Sequence, residues 1–217
     1  MVKKSSPTIL LTGFEPFDGA TVNPSAGIAR RLHGRKLGRH LIEGVVLPCR
    51  FGDALAMLQS EIRRLDPVLV ICLGQAGGRA EITPERVAIN IDDARIPDNA
   101  GRQPVDQPIV PRGPAAYWST LPVKAIVAAL HARGLPAAVS QTAGTFVCNH
   151  VFYGLMHALR RRRGVRGGFI HLPWLPEQAG AGQPALALDV MVGAIEVTLR
   201  VALRRKRDLR AAGGRTH

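Results

Sequence analysis

Aromatic side chains make up only 5% of this chain, so its core must be built mainly from aliphatic groups. Cysteine is scarcer still. Three scattered residues, Cys49, Cys72 and Cys148, cannot supply a disulfide framework or a zinc knuckle, and their odd number suits a reducing compartment. No run of ~18 uninterrupted apolar residues occurs, which argues against a membrane-spanning helix. The basic start Met1-Val-Lys-Lys leads into an apolar run of only Ile9-Leu10-Leu11, too short for a signal peptide. A cytoplasmic setting is therefore expected. Acidic residues are few as well, 16 against 29 Lys plus Arg, giving a formal net charge of +13. Much of the excess lies between Arg30 and Arg39, Arg160 and Arg166, and Arg200 and Arg215. The first two clusters follow apolar helical patterns, where cations complement the negative helix end. No aromatic residues interleave with them and no helix-turn-helix, RNP or zinc pattern appears, so a solvated basic surface is expected in place of nucleic-acid binding.

What is present reads as ordinary globular usage, with 46% hydrophobic and 21% charged residues in 217. Thr8-Ile-Leu-Leu-Thr-Gly13, Leu41 to Leu47, Pro67 to Leu73, Pro136 to Ser140 and Gly168-Phe-Ile-His-Leu172 read as strands. Helices are expected from Asn23-Pro24-Ser25 to about Leu32, and over Gly52 to Leu65, Val123 to Arg133 and about Ala185 to Arg205. Arg86 to Ile91 alternates like a short, half-exposed strand. Asp92 to Gly113 is rich in Pro and Gly and long enough to suggest a functional loop. Strand and helix alternate almost throughout. The expected fold is an α/β, three-layer α/β/α sandwich on a mostly parallel twisted sheet, forming one domain over residues 1–217. The basic tail at 206–217 is expected to fray.

In such folds ligands bind at the carboxyl ends of the strands, where Phe14, Gly74, Ser140 and His171 all fall. A further helix begins at the same rim. The small-residue turn Ala143-Gly-Thr145 runs into Val147, Val151, Phe152, Leu155, Met156 and Leu159 at helical spacing, and the helix closes on Arg160 to Arg163 and Gly164. Cys148 thus sits in its first turn, where unpaired N–H groups and the positive dipole end meet. A thiol there is expected to fall from ~8.5 into roughly 3.5–7.5 if a cation also helps. A nucleophile needs a base and an orienting group. Of seven histidines, His150 lies across the helix from Cys148, His157 far down it, and His33, His40, His131 and His217 at helix ends, in loops or in the tail. His171 ends an apolar strand at the right rim, ahead of Pro173. Spacing alone leaves Glu85 and Glu81 as equal candidates for the third group. Asp92, Asp93 and Asp98 lack EF-hand or zinc spacing, and pairs with Arg95 and Arg102 that order the loop are expected of them.

Five segments in order carry a resemblance: Gly13-Phe-Glu-Pro-Phe-Asp-Gly with Asn23-Pro-Ser; Gly74-Gln-Ala-Gly-Gly-Arg; Ile82-Thr-Pro-Glu-Arg-Val-Ala-Ile-Asn with Asp92-Asp-Ala-Arg-Ile-Pro-Asp-Asn99; Ala143-Gly-Thr-Phe-Val-Cys-Asn149; and Gly168-Phe-Ile-His-Leu-Pro. Together they resemble the pyroglutamyl peptidase I family of cysteine peptidases over roughly Thr8 to Leu203. The resemblance implies a cytoplasmic enzyme, without metal or cofactor, that removes an N-terminal pyroglutamyl residue from peptides. By motif it implies a triad of Cys148, His171 and Glu85, with Arg95 near the reacting carbonyl. It further implies a ring pocket from Phe14, Phe17, Gln75, Ile96, Phe146 and Val147, and a homo-tetramer or dimer. Two departures stand out: Asp18-Gly19 where the family often has Gly-Gly, and Leu-Pro-Trp after His171 where Val-Pro-Tyr or Val-Pro-Phe is common. A different thiol acyl hydrolase would share the triad without the lactam preference, and a basic nucleic-acid binder would bind in a steeply salt-dependent way.

Overall fold

The computed structural model describes residues 6–212; Met1 to Ser5 and the end of the tail, including His217, lie outside that range. Its centre is a six-stranded sheet in the order β2-β3-β1-β4-β8-β5. The four inner strands are β3 (His40–Leu47), β1 (Thr8–Phe14), β4 (Leu69–Gln75) and β8 (Arg166–Leu172), all parallel to one another. The mostly apolar runs of β1 and β4 follow from burial on both faces. The edge strands β2 (Lys36–Leu37) and β5 (Thr83–Pro84) are antiparallel, and β6 (Val87–Ile89) pairs with β7 (Ala116–Trp118) in a separate ribbon.

Alternation along the strands sorts the core into two layers. Ile9, Leu11, Ile71, Leu73, Ile170 and Leu172 face one side with α1 (Pro24–Leu32), α3 (Val123–His131) and α5 (Leu188–Arg204). Leu10, Phe14, Val70, Cys72 and Phe169 face the other with α2 (Asp53–Leu65) and α4 (Val147–Leu159). His171 has the parity of Phe169 and so points to the α4 side. The expected α/β/α sandwich is the observed one.

Three expectations shift in detail. The segment from Pro136 to Ser140 runs beside residues 82–86, with Ser140 N–H donating to Pro84 O at 3.1 Å and Arg86 N–H to Ser140 O at 2.9 Å, but only as isolated bridges at Ala137 and Ser140. The last helix starts at Leu188, later than Ala185, because Ala185 bridges Trp174 in extended form. The tail is docked as far as Ala211, where the expectation was fraying. Asp208 accepts from the N–H groups of Lys124 at 3.0 Å and Ala125 at 2.9 Å. The start of α3 needs this, because Pro122 at its cap supplies no side-chain acceptor.

Asp208→Ala removes that remote cap. Its urea midpoint is expected to fall with the m-value unchanged, by the equivalent of about 0.5–2 kcal/mol.

Candidate active site

The catalytic candidates meet at the carboxyl edge of β4 and β8, as the rim argument requires. Gly74 on β4 is paired in register with His171 on β8. A Cβ at Gly74 would lie 2.9 Å from Cys148 Sγ and 2.7 Å from the Phe169 ring. The sulfur therefore occupies the space that a side chain at position 74 would take, beside the histidine strand. The helix N-terminus brings it there. Phe146 at the cap offers no side-chain acceptor, so the first-turn N–H groups of α4 stay directed at the rim.

His171 is buried and its Nδ1–H donates to Glu85 Oε1 at 2.8 Å. In the neutral ring the lone pair is then on Nε2. The strand pairing sets this contact, since Thr83 lies opposite His171 and Pro84 opposite Ile170. Glu85 follows directly, its N–H donating to Phe169 O at 2.9 Å. Glu85, not Glu81, is thus the carboxylate on the histidine. A fully buried carboxylate needs compensation, and Arg79 supplies it: Nη1 donates to the same Oε1 at 2.8 Å and to Thr83 Oγ1 at 2.7 Å, while Nη2 donates to Thr142 O at 3.2 Å. Arg79 stands in a motif quoted above, yet nothing local to it in the sequence reveals that it reaches Glu85.

The aromatic residues divide. Phe146 packs against Phe17 (ring centroids 5.9 Å apart) and edge-on to Phe51 (5.4 Å), a wall member that sequence reasoning missed. Phe14 and Val147 are 1% and 0% exposed and belong to the core, with Phe14 packed at a tilt against Phe169. Ile96 is half-buried. Phe17, Gln75 and Arg95 line an open cleft of about 650 Å³ together with Trp174. Arg95 is exposed and makes no ion pair among the described residues, contrary to the expected pairing within the loop.

That loop is instead clipped to the first turn of α4. Asn149 bonds the backbone of Ile89 and Ile91, and Thr145 Oγ1 donates to Asp93 O at 2.6 Å. His150 donates through Nδ1 to Asp92 at 2.8 Å and accepts the Gly52 N–H on Nε2 at 3.1 Å. Asp98 accepts from the N–H groups of Phe51, Ala100 and Arg102.

The electrostatics depart from expectation. Burial pushes the Cys148 thiol well up from its ordinary value; Cys49 and Glu85 add to the rise and the Arg79 guanidinium opposes it. Cys49 and Cys72 are raised to about 12, mainly by burial, and behave as core residues.

A thiol packed on Gly74, beside the strand whose imidazole is held by a buried carboxylate, at the carboxyl edge of an α/β sheet, has the parts of a cysteine-type hydrolase. The family model of pyroglutamyl peptidase matches residues 7–205. The pyrrolidone-carboxylate peptidase of Klebsiella pneumoniae (strain 342) is 59% identical over 211 residues, covering 96% of this chain and 99% of that one. The crystal structure of pyroglutamyl peptidase I from Bacillus amyloliquefaciens superposes with a TM-score of 0.92 at 49% identity, covering 95% of this chain and all of that one. The pyrrolidone carboxyl peptidase of Thermococcus litoralis gives 0.88 at 39% identity, covering 91% and 93%. The chain belongs to the pyroglutamyl peptidase family and is a cysteine-type exopeptidase.

A raised thiol is protonated at neutral pH, and its thiolate fraction grows as pH climbs. Iodoacetamide labelling of Cys148 in the substrate-free protein is expected to keep accelerating beyond pH ~8.5, the value of a free thiol. Arg79→Met removes an opposing cation and is expected to move that profile higher. Labelling that saturates below pH 7 refutes the assignment.

Proposed function

We propose that this chain hydrolyses the amide bond after an N-terminal pyroglutamyl residue, with Cys148 as nucleophile, His171 as acid and base, and Glu85 as orienting group. The reading is carried by one observation: Cys148 Sγ sits over Gly74, the register partner of a histidine whose Nδ1–H is held by Glu85 at 2.8 Å. His171 Nε2 takes the thiol proton, and the sulfur adds to the carbonyl carbon. Charge on the carbonyl oxygen is met by the Cys148 N–H at the helix end and by Arg95; one such donor is worth ~2.7–4 kcal/mol. The imidazolium gives its proton to the departing amine as the C–N bond breaks, leaving a thioester. Water then adds with its proton passing to His171, the C–S bond breaks, and pyroglutamate leaves. Glu85 stabilises the imidazolium at each stage without itself taking the proton.

Selectivity for the lactam follows from desolvation. A wall of Phe17, Phe146 and Phe51, flanked by Ile96, accepts a neutral ring, whereas an ammonium entering it would lose water without a partner. Backbone at Gln75 is the proposed partner for the polar edge of the ring. Phe14 and Val147 back this wall from the core. The proposed reaction calls for no metal or cofactor, and its substrates are peptides that begin with pyroglutamate. All three cysteines are free thiols, which fits the proposed cytoplasmic location. Among the described residues no helix is long and apolar enough to cross a membrane. A homo-tetramer or dimer remains the expectation set by the family resemblance.

The test is hydrolysis of pyroglutamyl-aminomethylcoumarin against the prolyl and glutamyl analogues. Cys148→Ala is expected to lower kcat/KM by about 10³-fold or more. Glu85→Gln, checked for folding by circular dichroism, is expected to lose up to about 10⁴-fold in kcat, the scale seen when a triad carboxylate is neutralised. Full activity in Cys148→Ala, or equal rates on the three amides, defeats the proposal.

A further inference from the structure

We propose that the open cleft beyond Gln75 is the subsite for the first residue after the scissile bond, and that it favours a cationic side chain there. The inference rests on the hydrolase reading above and extends it to the leaving peptide.

Position argues first. The acyl side of the substrate is fixed by the aromatic wall of Phe17 and Phe146, at the start of α4. The departing amine must take its proton from His171, so the leaving peptide exits over β8 and the residues that follow it. There the 650 Å³ cleft opens, lined by Gln75, Arg95, Trp174, Asp18 and Glu177, with Phe17 as the wall shared with the ring site. That volume lies within the range of sites enclosing a drug-sized molecule, roughly 300–1,000 Å³. A five-membered lactam alone leaves most of it empty.

Trp174 is built as a fixed wall. A Cβ at Gly77 would lie 2.2 Å from its indole, so the ring is laid directly on the glycine backbone. Leu186 N–H donates to Trp174 O at 2.9 Å, holding the turn from behind. Gln178 Nε2 donates to Gln75 Oε1 at 2.8 Å and ties the Glu177 turn to the end of β4. An indole face so placed suits the stem of a long side chain, and a cation above all.

Charge argues second. Asp18 and Glu177 are exposed on the cleft and make no ion pair among the described residues, and Arg95 is the only cation in the lining. Two carboxylates against one guanidinium leave the cleft locally negative on a protein whose formal charge is +13. Asp18 also holds a φ of 54°, a left-handed conformation that Asp tolerates better than most residues but that still costs energy. Long-range attraction from the whole surface favours acidic peptides. A preference for basic ones can therefore arise only from these local groups.

The test compares pyroglutamyl-arginyl-alanine amide with pyroglutamyl-glutamyl-alanine amide by chromatography of released pyroglutamate. Wild type and the double variant Asp18→Asn/Glu177→Gln are measured at low salt, with pyroglutamyl-aminomethylcoumarin as wild-type control. The kcat/KM ratio of arginyl to glutamyl substrate is expected to exceed one by about three- to fivefold in wild type, the scale of one or two exposed charge pairs. It is expected to approach or fall below one in the double variant. Because each reading is a ratio within one protein, a general loss of activity cancels. A wild-type ratio at or below one, or a ratio the double variant leaves unmoved, overturns the subsite while coumarin hydrolysis keeps the peptidase reading intact. Failure of wild type to cleave the coumarin substrate overturns both.

Discussion

The arrangement depends on a single buried carboxylate. Glu85 is fully enclosed, and removing such a charge from water costs several kcal/mol unless it is paired and hydrogen-bonded. One oxygen, Oε1, accepts from both the Arg79 guanidinium and the His171 imidazole. The guanidinium offsets the buried carboxylate's charge, and the carboxylate, by accepting from Nδ1–H, fixes the imidazole's orientation and tautomer. Each contact makes the other tolerable. Two regions far apart in sequence are thereby locked together: the stretch from the turn after β4 through the edge strand β5, and the end of β8. The edge strand has only two residues in register. Its antiparallel pairing sets Thr83 opposite His171, so the chain turns past that strand with Glu85 beside the imidazole.

The sulfur is placed by a second, independent set of restraints. The start of α4 lies against the long loop after β6, and Asn149 and His150 of its first turns, with Thr145 just before it, hold that loop through its backbone or Asp92. His150 points away from Cys148, as helical spacing requires, and the histidine–carboxylate pair it forms with Asp92 is structural. The helix start, the loop bearing Arg95 and the Phe51 turn are therefore tied together. Gly74 then fixes how close that unit comes to the sheet, because any side chain there would meet both Cys148 and Phe169.

Much of this was legible in advance, for reasons that differ by element. Strands β1, β4 and β8 are continuous apolar runs between turn residues, and burial on both faces writes that pattern directly into the sequence. The Cys148 helix carried both its period and its end signals. Strands of two residues, such as Lys36–Leu37 and Thr83–Pro84, carry no period at all, so their pairing could not be read. Arg79 and Glu85 are six residues apart on a bent segment, and their meeting depends on how β5 docks on β8, which is a tertiary fact. Helical spacing puts His150 across α4 from Cys148, and there it meets Asp92. No local pattern separated Glu81 from Glu85, and the resemblance to a family did.

The thiol shows where local reasoning was outweighed. A helix N-terminus favours an anion by about 0.3–1 kcal/mol, up to about 2 in partly buried settings, which is at most about 1.5 pKa units. Burial disfavours the charged form and pushes the Cys148 thiol well up, with the nearby Cys49 and Glu85 adding to the rise. Desolvation outweighs the dipole, so the thiol form of Cys148 is favoured. A standing thiolate is then not what the architecture provides. What it provides is an imidazole able to accept the proton, with Glu85 and Arg79 already arranged to stabilise the imidazolium that results. Under the proposed mechanism the nucleophile is generated as substrate occupies the rim, and the Arg79–Glu85–His171 chain, more than the helix dipole, sets its reactivity.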